Sequence, residues 1–283
     1  MHEQDPHLTI PIAVTLGSIE HTPRDVKTDL NFFILNPDGP LPESIIMAKI
    51  GECHRKLASF AVAVHDVRGH ENEYSLATSD FQYVKHGSKE KEFIAEDRIT
   101  DHIFIYQHVL RRTAVVPNAG HSVKNSGPIR SVHIDASPHG ALCVMNHHIP
   151  VLLDLLPSAC PSPSPAPSAL ISRYRILSIW RPLHPVLKDP FGVADPRSVR
   201  DQDLVPLKQI WDDWYSGAYS VVHNEGQKWI YYLDRQGTGE VLMLMCFDSE
   251  DSASRVPHSS FVEAERKREA TRESIEVRAV VFG

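Results

Sequence analysis

Arg130-Ser131-Val132-His133-Ile134-Asp135-Ala136-Ser137 sets a histidine and an aspartate two residues apart within a short apolar stretch. In a β-strand successive side chains point to opposite faces, so positions i and i+2 share one. Val132 and Ile134 are therefore expected to pack into one layer, while His133 and Asp135 project together from the other. A neutral imidazole fixed beside a carboxylate is two thirds of the 2-His-1-carboxylate triad that holds non-haem Fe(II). About one His-x-Asp is expected by accident in a chain with 17 histidines. The pair gains weight only from what else the chain carries.

The missing ligand is a second histidine from a distant strand. Arg255-Val-Pro-His258-Ser-Ser-Phe261 offers His258, followed by a charged segment, Glu263–Arg272, and then the last strand. A hairpin would set the strand carrying His258 beside the strand that begins near Arg272. On that last strand, alternation puts Ile275, Val277, Ala279 and Val281 on one face and Arg272, Ser274, Glu276 and Arg278 on the other. A guanidinium and a hydroxyl two residues apart on one face can grip a carboxylate, the first as a bidentate fork and the second as a further donor. Iron enzymes that consume 2-oxoglutarate need such a clamp for the far carboxylate, because the metal takes the keto-acid end. Arg272-Glu273-Ser274 is the only Arg-x-Ser in the sequence. The order His-x-Asp, His, Arg-x-Ser is more specific than any of its parts.

The rest of the chain sets the frame. At 283 residues, 42% of them hydrophobic, it has material for one large β-rich domain with a real core. A net charge of −7 gives no electrostatic reason to expect nucleic acid. Cys53, Cys143, Cys160 and Cys246 show no C-x-x-C spacing and read as reduced thiols of a cytosolic protein. The opening Met1-His-Glu-Gln-Asp-Pro6 lacks signal-peptide character, and no apolar run is long enough to span a membrane. The expectation is a soluble, cytoplasmic protein with neither nucleic-acid nor membrane partners.

Residues 1–56 read as a partly irregular N-terminal arm with strand-like pieces at Leu8–Leu16 and Leu30–Leu35. Leu57–Val67 reads as a buried strand or helix. Ile99, Ile103, Tyr106 and Leu110 recur at helical spacing and predict a helix over Asp97–Arg112. Leu142–Leu156 reads as helical, and residues 157–168, rich in Pro and Ser, as an exposed loop within one domain spanning 1–283. Arg173–Leu183 predicts a strand, Leu207–Ser216 a short helix, and Lys228–Leu233, Glu240–Asp248 and Ser274–Phe282 three more strands. Short strands with Gly/Pro turns, preceded by helices, give a mainly β (α+β) class: a double-stranded β-helix, or jelly roll, with covering helices. Glu263–Glu273 reads as a solvated lid or helix and His223-Asn-Glu225 as a turn.

Several of these stretches resemble a known family. They are Val132–Ser137, Arg175-Ile-Leu-Ser-Ile-Trp-Arg-Pro-Leu183, Trp229–Ser249, Pro257-His-Ser-Ser-Phe261, Arg272-Glu-Ser-Ile-Glu-Val-Arg278 and an upstream block from Val67 to Phe81. The chain is similar, from about residue 60 to its end, to the fungal oxygenases labelled 7α-cephem methoxylase-like or gibberellin-desaturase-like. The resemblance implies a non-haem Fe(II), 2-oxoglutarate-dependent dioxygenase that hydroxylates or desaturates a small secondary-metabolite intermediate with O2. It maps the metal onto His133, Asp135 and His258 and the co-substrate clamp onto Arg272 and Ser274, and a homodimer is common in this class. Arg181, Trp180 and Tyr231 are weaker candidates for touching substrate. Ala136 stands where the family usually has Gln, and Ser178 where it usually has Asn.

Two other readings fit the same residues. A jelly-roll binding protein or redox-neutral isomerase or cyclase would keep the fold without the oxygenase cycle. A zinc hydrolase would suit His/Asp/His but would leave Arg272-Glu-Ser274 without a purpose.

Overall fold

The computed structural model describes residues 24–36, 45–46, 56–87, 99–100, 103–112, 127–159, 173–210, 215–251 and 253–283. In chain order the first strands are β1 (Val26–Phe33), β2 (Ile45–Ile46), β3 (Leu57–Val64), β4 (Phe81–Lys85), β5 (Ile99–Thr100), β6 (Ile103–Arg112) and β7 (His133–Ile134). They continue with β8 (Tyr174–Pro182), β9 (Phe191–Ala194), β10 (Leu204–Ile210), β11 (Tyr215–Val221), β12 (Trp229–Tyr231), β13 (Glu240–Asp248), β14 (His258–Ser260) and β15 (Glu273–Phe282). Among the described residues two α-helices accompany them, the one-turn α1 (Leu76–Ser79) and the long α2 (Pro138–Ala159).

Two sheets carry the architecture. One runs β12-β9-β14-β7-β11-β10-β2, the other β4-β13-β8-β15-β6-β5, while β1 and β3 form a separate pair. Apart from β2 beside β10, their pairings are antiparallel. This is the jelly roll expected from the spacing of strands and turns. The six-stranded sheet is built around β15, which pairs with β6 on one side and β8 on the other along nearly its whole length.

Burial follows the alternation of these strands. Ile176, Ser178 and Trp180 of β8 are fully buried and share one face. Leu242 and Leu244 of β13 pack with Trp180, Phe81 and Phe191. A second cluster gathers Val132, Ile134, Val221, Trp229, Tyr232 and Phe261 behind the other sheet. Each of these large side chains contributes roughly 1.5–3 kcal/mol by leaving water.

Several expectations are corrected. Asp97–Arg112 is not a helix: β5 and β6 occupy Ile99–Thr100 and Ile103–Arg112. The β-branched and aromatic residues of Ile103-Phe-Ile-Tyr106 suit a pleated surface, and the long pairing with β15 overrides the helical spacing. Leu207–Ser216 is likewise strand, with Leu207 opposite Ala218 and Ile210 opposite Tyr215 across β10 and β11; residues 211–214 lie outside the described residues. Leu57–Val64 is a strand, but only Val64 in it is buried, because β3 pairs with β1 rather than entering a central sheet. The helix expected over Leu142–Leu156 exists and runs to Ala159, so it takes in the first residues of the Pro/Ser stretch; 160–172, like Leu8–Leu16, fall outside the described residues. β14 does not lie beside β15 in a hairpin. It pairs with β7 and β9 in the seven-stranded sheet, and the segment between crosses to the opposite sheet. That crossing brings Arg272, just before β15, back to Ser260 of β14.

One close approach fixes the junction after Asp135. Ser137 accepts the Gly140 amide hydrogen on its hydroxyl, 3.1 Å, at the head of α2, and Pro138 follows it as a residue suited to the first helical position. The Ser137 amide donates to the Gly217 carbonyl on β11, 3.0 Å. A Cβ on Gly140 would stand 1.9 Å from that carbonyl oxygen, so the helix can dock only with glycine there.

Candidate active site

His133, Asp135 and His258 meet. His258 and His133 are direct cross-strand partners on β14 and β7, and Asp135 follows β7 on the same face as His133. The imidazole Nε2 atoms of His133 and His258 stand 3.6 Å from Asp135 Oδ1 and Oδ2, respectively. The ligand atoms of all three lie within 4.8 Å of one another, a set that can hold a metal ion. Each ring donates its Nδ1 hydrogen to a backbone carbonyl two residues earlier, His133 to Ser131 at 2.8 Å and His258 to Val256 at 3.0 Å. That bond fixes both tautomers and leaves both Nε2 lone pairs aimed at the shared space.

Electrostatics agree with that use. Burial, with the His258 charge next, pushes His133 down to about 3, so the ring stays neutral, the form that can ligate a metal. Burial would lower His258 too, but the adjacent Asp135 outweighs it and holds the ring above its usual range. Burial alone would raise Asp135; the Arg278 guanidinium and then His258 hold it well below the carboxylate range instead.

Arg278 comes from the other wall. Its Nη2 donates to Asp135 Oδ1 at 2.6 Å, its Nε to Glu276 Oε1 at 2.6 Å, and its Nη1 to Gln107 Oε1 at 3.3 Å. Ser178 donates to the same Glu276 oxygen at 3.1 Å. Register explains the grouping: Arg278 lies between Gln107 and Ser178, Glu276 between Val109 and Trp180, and Ser274 between Arg111 and Pro182. Three rows of inward side chains thus cross the sheet. Ser178, the departure noted in the sequence, sits in the row of Arg278 and bonds across to Glu276 in the next.

Arg272, 3% exposed, donates from Nη1 to the Asp189 carbonyl at 2.7 Å and to Ser260 Oγ at 2.8 Å. Its guanidinium lies 5.2 Å above the Trp180 ring, which stacks on Phe191 at 5.1 Å. Asp189 adopts a left-handed conformation, φ 54, a strained position of the kind found around functional groups, and its carboxylate is turned to Arg130 at 2.7 Å. Ser274 Oγ is buried with no hydrogen-bond partner among the described residues.

The weaker candidates fare differently. Trp180 is the buried floor beneath Arg272. Arg181 leaves on the opposite face and donates to the His86 carbonyl, so it is not brought to the site. Tyr231 belongs to β12, but its side chain is outside the described residues. His223 is packed between Phe32 and Phe60, stacked 4.1 Å from the latter, and is not part of the cluster. The sequence reading missed Asp189, Gln107 and Arg111. The last two sit in the stretch read as helix, where counting every second residue from Ile103 would have placed Gln107, Val109 and Arg111 on one face.

A jelly roll with a buried His-Asp-His cluster on one wall and a buried Arg/Ser pair on the other defines an oxygenase-type oxidoreductase. The family described as "YDMC: Oxidoreductase/YMDC permease-like domain" matches residues 100–282. The hydroxylase/desaturase efuI of Hormonema carpetanum is 30% identical over 295 residues, covering 91% of this chain and 95% of that protein. The hydroxylase/desaturase asaB of Aspergillus flavus is 28% identical over 276 residues, covering 92% and 95%. An Fe(II)/2-oxoglutarate-dependent dioxygenase, nvfI of Aspergillus novofumigatus, is 31% identical over 245 residues, covering 78% and 83%. A solved structure of the iron and alpha-ketoglutarate-dependent endoperoxidase NvfI superposes with a TM-score of 0.68 at 23% identity, covering 92% of this chain and 98% of that one; at that identity it shows the fold. The chain belongs to this family of fungal hydroxylase/desaturases and Fe(II)/2-oxoglutarate-dependent dioxygenases.

Proposed function

We propose that this chain is an Fe(II)/2-oxoglutarate-dependent oxidoreductase that hydroxylates or desaturates a small secondary-metabolite intermediate with O2. His133, Asp135 and His258 would hold the metal, and Arg272 with Ser274 would hold the far carboxylate of 2-oxoglutarate. The convergence of two imidazole Nε2 atoms on one buried carboxylate, each ring already oriented through Nδ1, carries the reading. The donor set suits Fe(II), and Ser274 Oγ is a buried hydroxyl with no hydrogen-bond partner among the described residues. When bound, the metal and the oxo acid supply the oxidising chemistry. The protein's share is to orient the ligands, seat the carboxylate away from the metal and exclude water from the space between the sheets.

The finer assignment to the 7α-cephem methoxylase-like or gibberellin-desaturase-like branch, the single domain over 1–283, a cytoplasmic location, a homodimer and the absence of nucleic-acid or membrane partners belong to the same proposal. Among the described residues no helix is long and apolar enough to cross a membrane. The test is succinate release from 2-oxoglutarate with Fe(II), with and without O2, in wild type and His133→Ala. Oxygen-dependent succinate in the wild type alone supports the proposal; no metal uptake and no succinate under any condition overturns it in favour of a jelly-roll protein without the oxygenase cycle.

A further inference from the structure

We propose that Arg111 is a second guanidinium for the far carboxylate of the oxo-acid co-substrate, completing the cradle of Arg272 and Ser274 from the neighbouring strand. This rests on the function proposed above and adds a residue that the sequence motifs do not mark. Arg111 of β6 is the direct cross-strand partner of Ser274 on β15, and directly opposed residues present their side chains to the same face within about 4.5–5.5 Å at Cβ. Its side chain is 13% exposed. Among the described residues its contacts are weak for a buried cation: the Gly127 carbonyl at 3.4 Å and Glu276 Oε2 at 4.0 Å. Glu276 is already committed through its other oxygen to Arg278 at 2.6 Å and Ser178 at 3.1 Å. Asp135 is likewise taken by Arg278, and Asp189 by Arg130.

Among the described residues the inward carboxylates Asp135 and Glu276 are thus both engaged by Arg278, and Arg111 is left with Glu276 Oε2 no closer than 4.0 Å. A buried charge without a close counterion is costly, and natural sites keep one where a ligand brings the opposite charge. The two cations also sense each other: burial, and next the charge of Arg111, pushes Arg272 down to about 9. Beside them Ser274 Oγ, 1% exposed, has no partner among the described residues. An incoming carboxylate would meet the Ser274 hydroxyl and the Arg111 guanidinium from one row of the sheet and the Arg272 guanidinium from two residues before Ser274. A carboxyl group of the substrate is the competing occupant.

The experiment is an anaerobic titration of Mn(II)-loaded protein with 2-oxoglutarate and with 2-oxovalerate, which keeps the keto-acid end and lacks the far carboxylate. Wild type should prefer 2-oxoglutarate. Arg111→Met should weaken 2-oxoglutarate by about 10- to 100-fold, as loss of charge-assisted hydrogen bonds implies, and leave 2-oxovalerate unchanged. Unchanged 2-oxoglutarate affinity, or equal losses for both acids, would overturn the assignment. A wild type that binds neither acid would instead overturn the co-substrate reading itself. Since the substitution removes an unneutralised buried charge, the metal-free variant should melt no lower than wild type; if it does not fold, Arg111→Gln and Arg111→Lys are read in the same titration, Lys retaining more of the preference than Gln.

Discussion

The two walls of the barrel differ in how finished they are. On the seven-stranded wall the metal-facing groups are already oriented: both Nδ1 hydrogens go to backbone carbonyls and one Asp135 oxygen accepts from Arg278. On the six-stranded wall Ser274 Oγ stands alone among the described residues and Arg111 has its nearest carboxylate at 4.0 Å. The first wall is ordered before anything binds; the second is left short of negative charge. A metal needs a rigid set of donors, whereas a dicarboxylate brings its own acceptors. Arg278 is where the walls are tied together.

Cutting that tie should have the largest effect. Arg278→Met leaves Asp135 and Glu276 buried without their cation, so the metal-free protein should lose about 3–5 kcal/mol in urea unfolding, and Mn(II) affinity should fall by about 10- to 100-fold, as for other supports of metal ligands. Next comes Gly140→Ala, whose added methyl meets the Gly217 carbonyl at 1.9 Å. It should cost about 1–3 kcal/mol or more, and because the shift falls next to Asp135, Mn(II) affinity should drop while 2-oxoglutarate selectivity holds. Ser178→Ala removes one bond to Glu276, worth about 1 kcal/mol, and should sharpen the comparison by leaving both ligand affinities within a few-fold of wild type.

The smallest effect is with pH. His258 is held above its ordinary 6.5 by Asp135, so its proton stabilises the metal-free fold below the unfolded value, and that contribution is lost as pH rises through the raised folded value. The proton also competes for Nε2. Metal-free stability should therefore slip as pH climbs above about 6.5 while Mn(II) affinity rises across the same window. Affinity independent of pH there would remove His258 from the ligand set.

Much of this was legible in the sequence where a strand's two-residue period is the governing rule. Alternation placed His133 with Asp135 and Arg272 with Ser274, Glu276 and Arg278, and both rows are observed. The same rule failed over Ile99–Arg112, where apolar residues also fit a helical period, and with it went Arg111 and Gln107. The sheet that β14 would join was not legible either, because strand partners distant in sequence are chosen by the assembled barrel. Asp189 carries no signal of its own; it is marked only by the fold, where Arg272 donates to its carbonyl and Arg130 to its carboxylate.

The account stands or falls on the two histidines and one aspartate sharing a metal. The most direct measurement is an anaerobic calorimetric titration of the metal-free protein with Mn(II), wild type against His258→Ala. One tight site in the wild type, weakened more than about 100-fold in the variant, is the predicted result. Equal binding in both would show that the cluster is not a metal site.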